Sequence, residues 1–186
     1  MTVLIAGAGP AGARLATSLS EAGRDVVLVE RLTEPHRNSF SSAALSLGEA
    51  SRLNLPQSAW SATWSGWQLF DPSGHEHQWW DADPLGVVLD FGQLRSAMWS
   101  RAQAAGAELI TGCTVRIEAL HNDRAHVLLQ HADGRRQHRH VKWVIDATGA
   151  SRCLLRAASV PPPSTADPLL EGVGVEWLLQ ADDRVS

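Results

Sequence analysis

The chain has 186 residues, 44% of them hydrophobic and 19% charged, so it can bury one core and is expected to form one domain or slightly more. Its formal net charge of −4 argues against nucleic acid as the main partner. The apolar N-terminus lacks a basic leader, and Arg14 interrupts it before a membrane-spanning length. The only cysteines, Cys113 and Cys153, have no CxxC spacing, so neither a disulfide framework nor a metal site is predicted. We therefore expect a cytoplasmic protein.

The stretch VLIAGAGPAGARLA, residues 3–16, places three glycines between an apolar run and a helical pattern. Val3 to Ala6 predict a strand buried on both faces of a parallel sheet. Gly7 permits a tight turn, and Gly9 lets the backbone approach a pyrophosphate. Pro10 suits the first turn of a helix whose N-terminus attracts an anion. The alternative interpretation is a glycine turn with a purely structural role.

In the predicted helix, Gly12 lets the helix lie close on the strand, and Gly23 ends the helix. The next strand is predicted over Val26 to Val29. Glu30 follows Gly12 by 18 residues, near the spacing of a dinucleotide-binding fingerprint. Its carboxylate can accept hydrogen bonds from a ribose and would repel a 2′-phosphate. These features favour a dinucleotide site and leave NAD and FAD open.

Residues 31–59 are predicted to form a connecting segment that contains a short helix near Ala43 to Leu53. A tryptophan-rich tract follows, in which a turn at 71–74 separates two candidate strands, Trp67 to Phe70 and His75 to Trp80. We interpret this tract as a hairpin inserted into the α/β domain.

The tract contains five tryptophans, for which we favour core packing over the lining of a pocket for an apolar or aromatic substrate. They are Trp60, Trp64, Trp67, Trp79 and Trp80. His75 and His77 share one strand face, and we favour surface histidines over metal ligands because no third ligand is in view.

A βαβ pattern then resumes with a strand at Val87 to Leu89, a helix from about Gly92 to Ala105 and a strand at Glu108 to Ile110. The buried face of this helix is predicted at 4, 3, 4 spacing, on Leu94, Met98, Arg101 and Ala105.

Three alternating stretches further along predict a β-meander. They are Val115 to Leu120, Ala125 to His131 and His138 to Trp143. The basic run 135–140 is interpreted as a solvated hairpin edge. A last strand, Trp143 to Asp146, runs into Ala147, Thr148 and Gly149 and so places a second strand-to-glycine end near the first.

The segments VLIAGAGPAGARLA, VVLVER, VVLDFGQLRSAMWSRAQAAGAELITGCTV and VIDATGASRCLLR resemble the FAD-dependent oxidoreductases that include aromatic-ring monooxygenases, flavin-dependent halogenases, geranylgeranyl reductases and lycopene cyclases. The resemblance covers about residues 1–160 and implies FAD, with a pyridine nucleotide such as NAD(P)H or another donor reducing the flavin. It implies a Rossmann-like α/β domain with a parallel sheet, a three-stranded meander and an inserted hairpin.

The resemblance also implies which residues hold the cofactor. Gly7, Gly9, Ala11 and Gly12, with Pro10, surround the pyrophosphate; Glu30, with Arg31 beside it, binds the adenosine ribose; Val115 lies by the adenine; and Ala147, Thr148 and Gly149 pass near the ribityl-pyrophosphate. Phe91 stands where relatives often carry Arg or Gln, a polar contact that Arg95 could supply from one turn later. No catalytic residue is identified.

The family's later Gly-Asp motif does not occur in this sequence, and the run Gly172 to Leu179, after Pro161 to Pro163, predicts a first substrate-domain strand. We expect residues 1–59 and 85–160 to form the FAD-binding domain, and 60–84 and 168–186 to be partial substrate-domain strands. The isolated chain is expected to bind FAD weakly or not at all, to show no steady turnover alone, and to self-associate or to need a second chain.

The functional expectation is the N-terminal part of an FAD-dependent, monooxygenase-like oxidoreductase acting on an apolar or aromatic small molecule. A non-catalytic nucleotide-binding remnant and an NAD-dependent dehydrogenase are the alternatives.

Overall fold

The computed structural model describes residues 1–37 and 42–160, so the segments predicted at 161–163, 168–186 and 172–179 lie outside the described residues. The elements in chain order are β1 (Thr2–Ala6), α1 (Pro10–Glu21), β2 (Asp25–Val29), β3 (Ser42–Ser46), α2 (Leu47–Arg52), β4 (Trp60–Trp64), β5 (Gly66–Phe70), β6 (Glu76–Trp80), β7 (Gly86–Asp90), α3 (Phe91–Ala104), β8 (Glu108–Ile110), β9 (Cys113–Leu120), β10 (Ala125–His131), β11 (Arg136–Val141), β12 (Trp143–Asp146) and α4 (Cys153–Ala157).

A four-stranded parallel sheet in the order β12-β1-β2-β8 forms the centre of the fold. Side chains alternate between its two faces. Ile5 and Leu28 pack against α1 and α3 through residues such as Ala13 and Trp99. Leu4 and Val27 lie in the other cluster. That second cluster includes residues of β10 and α4, among them Val127, Leu129 and Leu154. The predicted Rossmann-like α/β architecture is confirmed.

The predicted meander is present as an antiparallel sheet in the order β11-β10-β9. Most of the basic run lies on its edge strand β11, where Arg139 donates two hydrogen bonds of 2.6 Å to the carboxylate of Glu108. This bidentate pair joins the meander to β8 of the parallel sheet.

The helix predicted at Ala43 to Leu53 is wrong over its first part. Residues 43–46 belong to β3, which pairs antiparallel with β7. The helix begins only at Leu47, because the hydroxyl of Ser46 accepts a hydrogen bond from the Glu49 N–H at 3.2 Å and caps it. Pairing with a distant strand therefore overrides the local helical pattern.

The βαβ pattern predicted at residue 87 also needs correction, because β7 does not join the parallel sheet. Both of its neighbours, β3 and β4, are antiparallel to it. This small sheet covers a third buried cluster that includes Val87 and Leu89. The β4–β7 pairing also connects residues 60–64 to residues 86–89, and the predicted domain boundaries remain a prediction.

The predicted hairpin is present as β5 and β6, paired antiparallel from Gly66 opposite Trp80 to Phe70 opposite Glu76. Core packing is wrong for three of its tryptophans, since Trp67, Trp79 and Trp80 are 47, 54 and 70% exposed. They are exposed because, in the described part of the chain, β5 and β6 pair only with each other.

Helix α3 is close to its predicted bounds, but its buried face differs from the predicted one. Its buried residues are Gly92, Leu94, Trp99 and Ala102. Arg101, predicted on that face, reaches outward and donates a hydrogen bond of 2.9 Å to the carbonyl oxygen of Asn54.

Candidate cofactor-binding site

The carboxyl ends of three neighbouring parallel strands bring together residues that are far apart in sequence. The Gly7 N–H donates to the carbonyl oxygen of Val29 at 2.8 Å, and the Ala147 N–H donates to that of Ala6 at 2.9 Å. The ends of β1, β2 and β12 are thus joined side by side. In open α/β sheets, ligands bind beyond the carboxyl ends of the strands. They bind at the point where the chain changes from one side of the first strand to the other.

The glycine loop, residues Gly7–Gly12, contains two glycines that the fold itself requires. Gly7 has a φ of +101°, and a Cβ on it would overlap the carbonyl oxygen of Ala147. A Cβ on Gly12 would overlap the carbonyl oxygen of Gly7 and lie 3.1 Å from the Cβ of Ala147. Only glycine allows α1 and β12 to approach the loop this closely.

Gly9 differs, because a Cβ built on it would meet no heavy atom within 4 Å. Its φ of −67° is also accessible to any residue. Protein packing therefore does not require a glycine here. The open space in front of Gly9 fits the approach of a pyrophosphate to the backbone.

Helix α1 begins at this open space. Gly9 is its N-cap, Pro10 is its first residue, and no side chain caps it. Its first turn contains no acidic residue. Ala11, in that turn, is exposed. The free N–H groups and positive dipole end of α1 can therefore hold an anionic group such as a phosphate.

Glu30 lies at the end of β2 and is only 7% exposed. Its Oε2 accepts a hydrogen bond from the Ala8 N–H at 2.7 Å, and its Oε1 accepts one from the Leu32 N–H at 3.0 Å. Sequence reasoning did not anticipate that this carboxylate also holds the glycine loop. Each oxygen retains a lone pair, so a ribose hydroxyl can still donate to it.

Two further predicted residues lie near this edge. Arg31 is exposed beside Glu30. The N–H of Cys113 donates to the carbonyl oxygen of Glu30 at 2.9 Å. Val115 lies two residues further along β9 and packs partly buried against the core. The structure thus brings the start of β9 to the end of β2, as an adenine-side role for Val115 requires.

The loop after β12 is organised by Asp146, a residue that the sequence analysis did not single out. Its Oδ1 accepts from the N–H and hydroxyl of Thr148 at 3.0 and 2.6 Å. Its Oδ2 accepts from the N–H groups of Leu154 and Leu155, both at 2.9 Å, and so caps α4. An aspartate eight residues before an apolar Leu-Leu pair is the only sequence signal for this cap.

These hydrogen bonds also affect the ionisation of Asp146. Burial raises the pKa of Asp146, but the hydrogen bonds from Thr148, Leu155 and Leu154 outweigh burial, so the pKa lies below its ordinary value. The loop that carries Thr148 and Gly149 is therefore held by a carboxylate that stays ionised at neutral pH. Gly149 has a φ of +72°, a conformation that favours glycine.

Arg95 does not lie free to replace the polar residue that is absent at Phe91. Its Nη1 donates to the carbonyl oxygens of Pro35 and Arg37 at 2.7 and 2.8 Å. Arg95 thus anchors the segment after β2, and a contact with the cofactor remains a prediction.

Trp99 on α3 is a further residue that the sequence analysis missed. It is 5% exposed, and its indole N–H donates to the carbonyl oxygen of Ala8 at 2.7 Å. A tryptophan within a predicted helix gives no local indication that it reaches a loop 91 residues earlier.

Comparison with known proteins agrees with this geometry. The profile of the FAD binding domain family matches residues 1–46, which contain the glycine loop and Glu30. Residues 1–46 thus match a family of FAD-binding domains, and the curated relatives and solved structures described below are similar to the rest of the described chain. The resemblance inferred from the sequence is confirmed.

Two curated relatives match most of the chain but only part of their own length. Digeranylgeranylglycerophospholipid reductase of Haloferax volcanii is 29% identical over 83% of this chain and 37% of its own. The 3-(3-hydroxy-phenyl)propionate/3-hydroxycinnamic acid hydroxylase 2 of Burkholderia vietnamiensis is 31% identical over 90% of this chain and 33% of its own. The chain thus spans about a third of the length of these relatives.

The fold of this FAD-binding domain is also found in solved structures. A geranylgeranyl bacteriochlorophyll reductase-like protein from Thermoplasma acidophilum superposes with a TM-score of 0.76 at 20% identity, over 86% of this chain and 42% of its own. This likeness supports the fold assignment.

Three other findings concern the described residues, 1–37 and 42–160. None of their helices is long and apolar enough to cross a membrane. No group of three or more His, Cys, Asp or Glu side chains among them is placed to hold a metal ion. A cleft of about 340 Å³ lies between the 121–124 turn, β12 and α4, apart from the glycine loop.

Proposed function

We propose that the carboxyl edge of the parallel sheet holds the ADP half of FAD, and that the chain works as the N-terminal part of an FAD-dependent oxidoreductase of the monooxygenase-like kind. The observation that carries this proposal is the contrast within the glycine loop. Gly7 and Gly12 are required by the packing of the fold, whereas Gly9 faces open space at the N-terminus of α1.

Each predicted residue then has a role that fits its position. The Gly9 N–H and the N–H groups at the start of α1 bind the pyrophosphate, with Gly9 giving the close approach. The free lone pairs of Glu30 accept from the ribose, and Val115 lies on the adenine side. Asp146 orients the loop of Ala147, Thr148 and Gly149 along the next part of the cofactor.

When bound, the flavin supplies the electron transfer, and the chain's own residues bind and orient it. NAD(P)H is proposed as the electron donor. The substrate class is an apolar or aromatic small molecule, for which the exposed Trp67, Trp79 and Trp80 offer flat apolar surface. The same surface supports self-association or completion of the substrate region by a second chain.

We place this activity in the cytoplasm, where thiols are kept reduced. Cys113 is buried, Cys153 is exposed, and both are free thiols. Burial raises the pKa of the Cys113 thiol, so it is held in its unreactive protonated form.

The test compares Gly9→Val with Gly48→Val, because a Cβ at either glycine meets open space. FAD and ADP are titrated against wild type and both variants, with circular dichroism to check folding. Gly9→Val should weaken both ligands by about tenfold or more, because its side chain fills the phosphate approach. Gly48→Val should bind as wild type does.

Full FAD and ADP binding by a folded Gly9→Val variant would contradict the proposed site. A parallel titration with NAD⁺ separates the alternatives. Wild type that binds NAD⁺ in preference to FAD would indicate a dehydrogenase. Bound FAD that no NAD(P)H reduces, in the presence of candidate aromatic substrates, would indicate a nucleotide-binding remnant.

A further inference from the structure

The peptide group between Ala8 and Gly9 is held from one side by a residue of α3. The carbonyl oxygen of Ala8 accepts a hydrogen bond of 2.7 Å from the indole N–H of Trp99. Ala8 is fully buried, and its own N–H is used by Glu30. The position of Ala8 in the middle of the glycine loop is thus fixed by groups from β2 and α3.

The geometry of a peptide group links Trp99 to the open space. In a trans peptide the C=O of one residue and the N–H of the next point in opposite directions within one plane. A donor that fixes the direction of the Ala8 C=O therefore also fixes that of the Gly9 N–H. Among the described residues, the Gly9 N–H has no hydrogen-bond acceptor.

Trp99 is suited to this role because it is buried and packed on several sides. The residue is 5% exposed and lies in the cluster that includes Ala13 and Ala16 of α1 and Ala102 of α3. A phenylalanine would fill most of the same space but would leave the buried Ala8 carbonyl without its donor.

We propose that Trp99 is a positioning residue for the dinucleotide site, which aims the Gly9 N–H at the ligand's phosphate by holding the Ala8 carbonyl. This inference rests on the proposed function. It adds a residue of α3, outside the glycine fingerprint and outside the matched residues 1–46, to those that set the affinity for the pyrophosphate.

The chain offers a matched control for this proposal. The indole N–H of Trp60 is also buried, but it has no hydrogen-bond partner within residues 1–37 and 42–160. Trp99→Phe and Trp60→Phe therefore remove the same atoms, and only the first removes a hydrogen bond. Both variants keep an aromatic ring in place.

The first experiment titrates ADP, FAD and adenosine against wild type and the two variants. Trp99→Phe should weaken ADP and FAD by a common factor of about tenfold and adenosine by much less, because only the phosphate-bearing ligands use the Gly9 N–H. Trp60→Phe should leave all three unchanged. An equal loss for all three ligands would mean a general structural role and would overturn the proposal.

The second experiment uses the wild-type chain and so does not depend on whether Trp99→Phe folds. Nuclear magnetic resonance follows the indole N–H signals while ADP is added. A phosphate that accepts from the Gly9 N–H polarises the peptide group and strengthens the bond from Trp99, since linked hydrogen bonds reinforce one another. The Trp99 signal should shift downfield on ADP binding, while that of Trp60 should stay.

The outcomes separate this proposal from the proposed function. If wild type binds neither ADP nor FAD, both fail. If wild type binds them but Trp99→Phe retains full affinity, or the Trp99 signal does not move with bound ADP, only the role of Trp99 is overturned.

Discussion

Large apolar residues occur both at the carboxyl edge of the parallel sheet and in the aromatic hairpin, β5 and β6. They are buried in the first region and exposed in the second. At the first, Ile5 and Leu28 are completely buried against helices α1 and α3. At the second, Leu69, Phe70 and Trp80 are between 52 and 70% exposed. The sheet edge is therefore a rigid platform on which small polar groups can be aimed, whereas the hairpin offers apolar surface for contact with something else.

The hydrogen bonds differ in the same way. The glycine loop is bonded to β2, α3 and Glu30 through Gly7 and Ala8. In the hairpin, the backbone bonds described run between β5 and β6 and to the segments that flank them. Contacts with several elements keep a site in one geometry, and a pair of strands supported mainly by itself is the less stable of the two regions.

The largest effect expected from this comparison comes from one substitution made in each region. Leu28→Ala removes a fully buried side chain from β2 and should lower the free energy of unfolding by about 2–5 kcal/mol. Leu69→Ala changes a side chain that is 52% exposed, so the free energy of unfolding should change by about 0.5 kcal/mol or less. Urea unfolding followed by circular dichroism measures both.

Similar losses for the two leucine variants would show that the hairpin is buried in solution. That outcome would point to an association through the aromatic hairpin. Light scattering on the same samples then provides the control, because a self-associated chain should have a mass above 20.1 kDa.

Whether an element was predicted correctly from the sequence depended on how close in the chain the residues that determine it lie. The glycine loop and α1 were predicted because Gly7, Gly9, Pro10 and Gly12 act through backbone conformation at their own positions. The meander and the hairpin strands were predicted for a related reason, since alternation and turn residues are local signals.

Two of the errors involve partners that are distant in sequence. Residues 43–46 became β3 because they pair with β7, and the periodic pattern of α3 could not show that Trp99 rather than Met98 lies under the glycine loop. The bracing role of Glu30 was missed for a different reason. Its position in the fingerprint indicates a ribose ligand, and only the folded loop brings the Ala8 N–H to it.

A second prediction sharpens the comparison within the platform itself. Gly12→Ala should lower the free energy of unfolding by about 1–3 kcal/mol, because its Cβ overlaps the Gly7 carbonyl oxygen and α1 must shift. Gly48→Ala is the matched control, since Gly48 lies in α2 and a Cβ there meets open space. It should raise stability by about 0.5–1 kcal/mol, the usual gain in a helix. A Gly12→Ala variant as stable as wild type would show that the loop is looser than this packing requires.

The smallest effect concerns Asp146, which holds the second loop of the platform. Because the folded chain lowers the pKa of Asp146, its stabilisation is fully present above the unfolded pKa of about 3.9 and is lost as pH falls through the lower, folded pKa. Asp146→Ala should therefore lower the free energy of unfolding by about 1–2 kcal/mol at pH 7, the scale of a lost helix cap.

Urea midpoints measured from pH 7 to pH 3 should show the gap between wild type and Asp146→Ala narrowing only below about pH 4. Asp83→Ala, at an exposed aspartate near the aromatic hairpin, should show a small gap throughout. A gap for Asp146→Ala that is the same at pH 3 as at pH 7 would mean that the ionised carboxylate does not hold this loop.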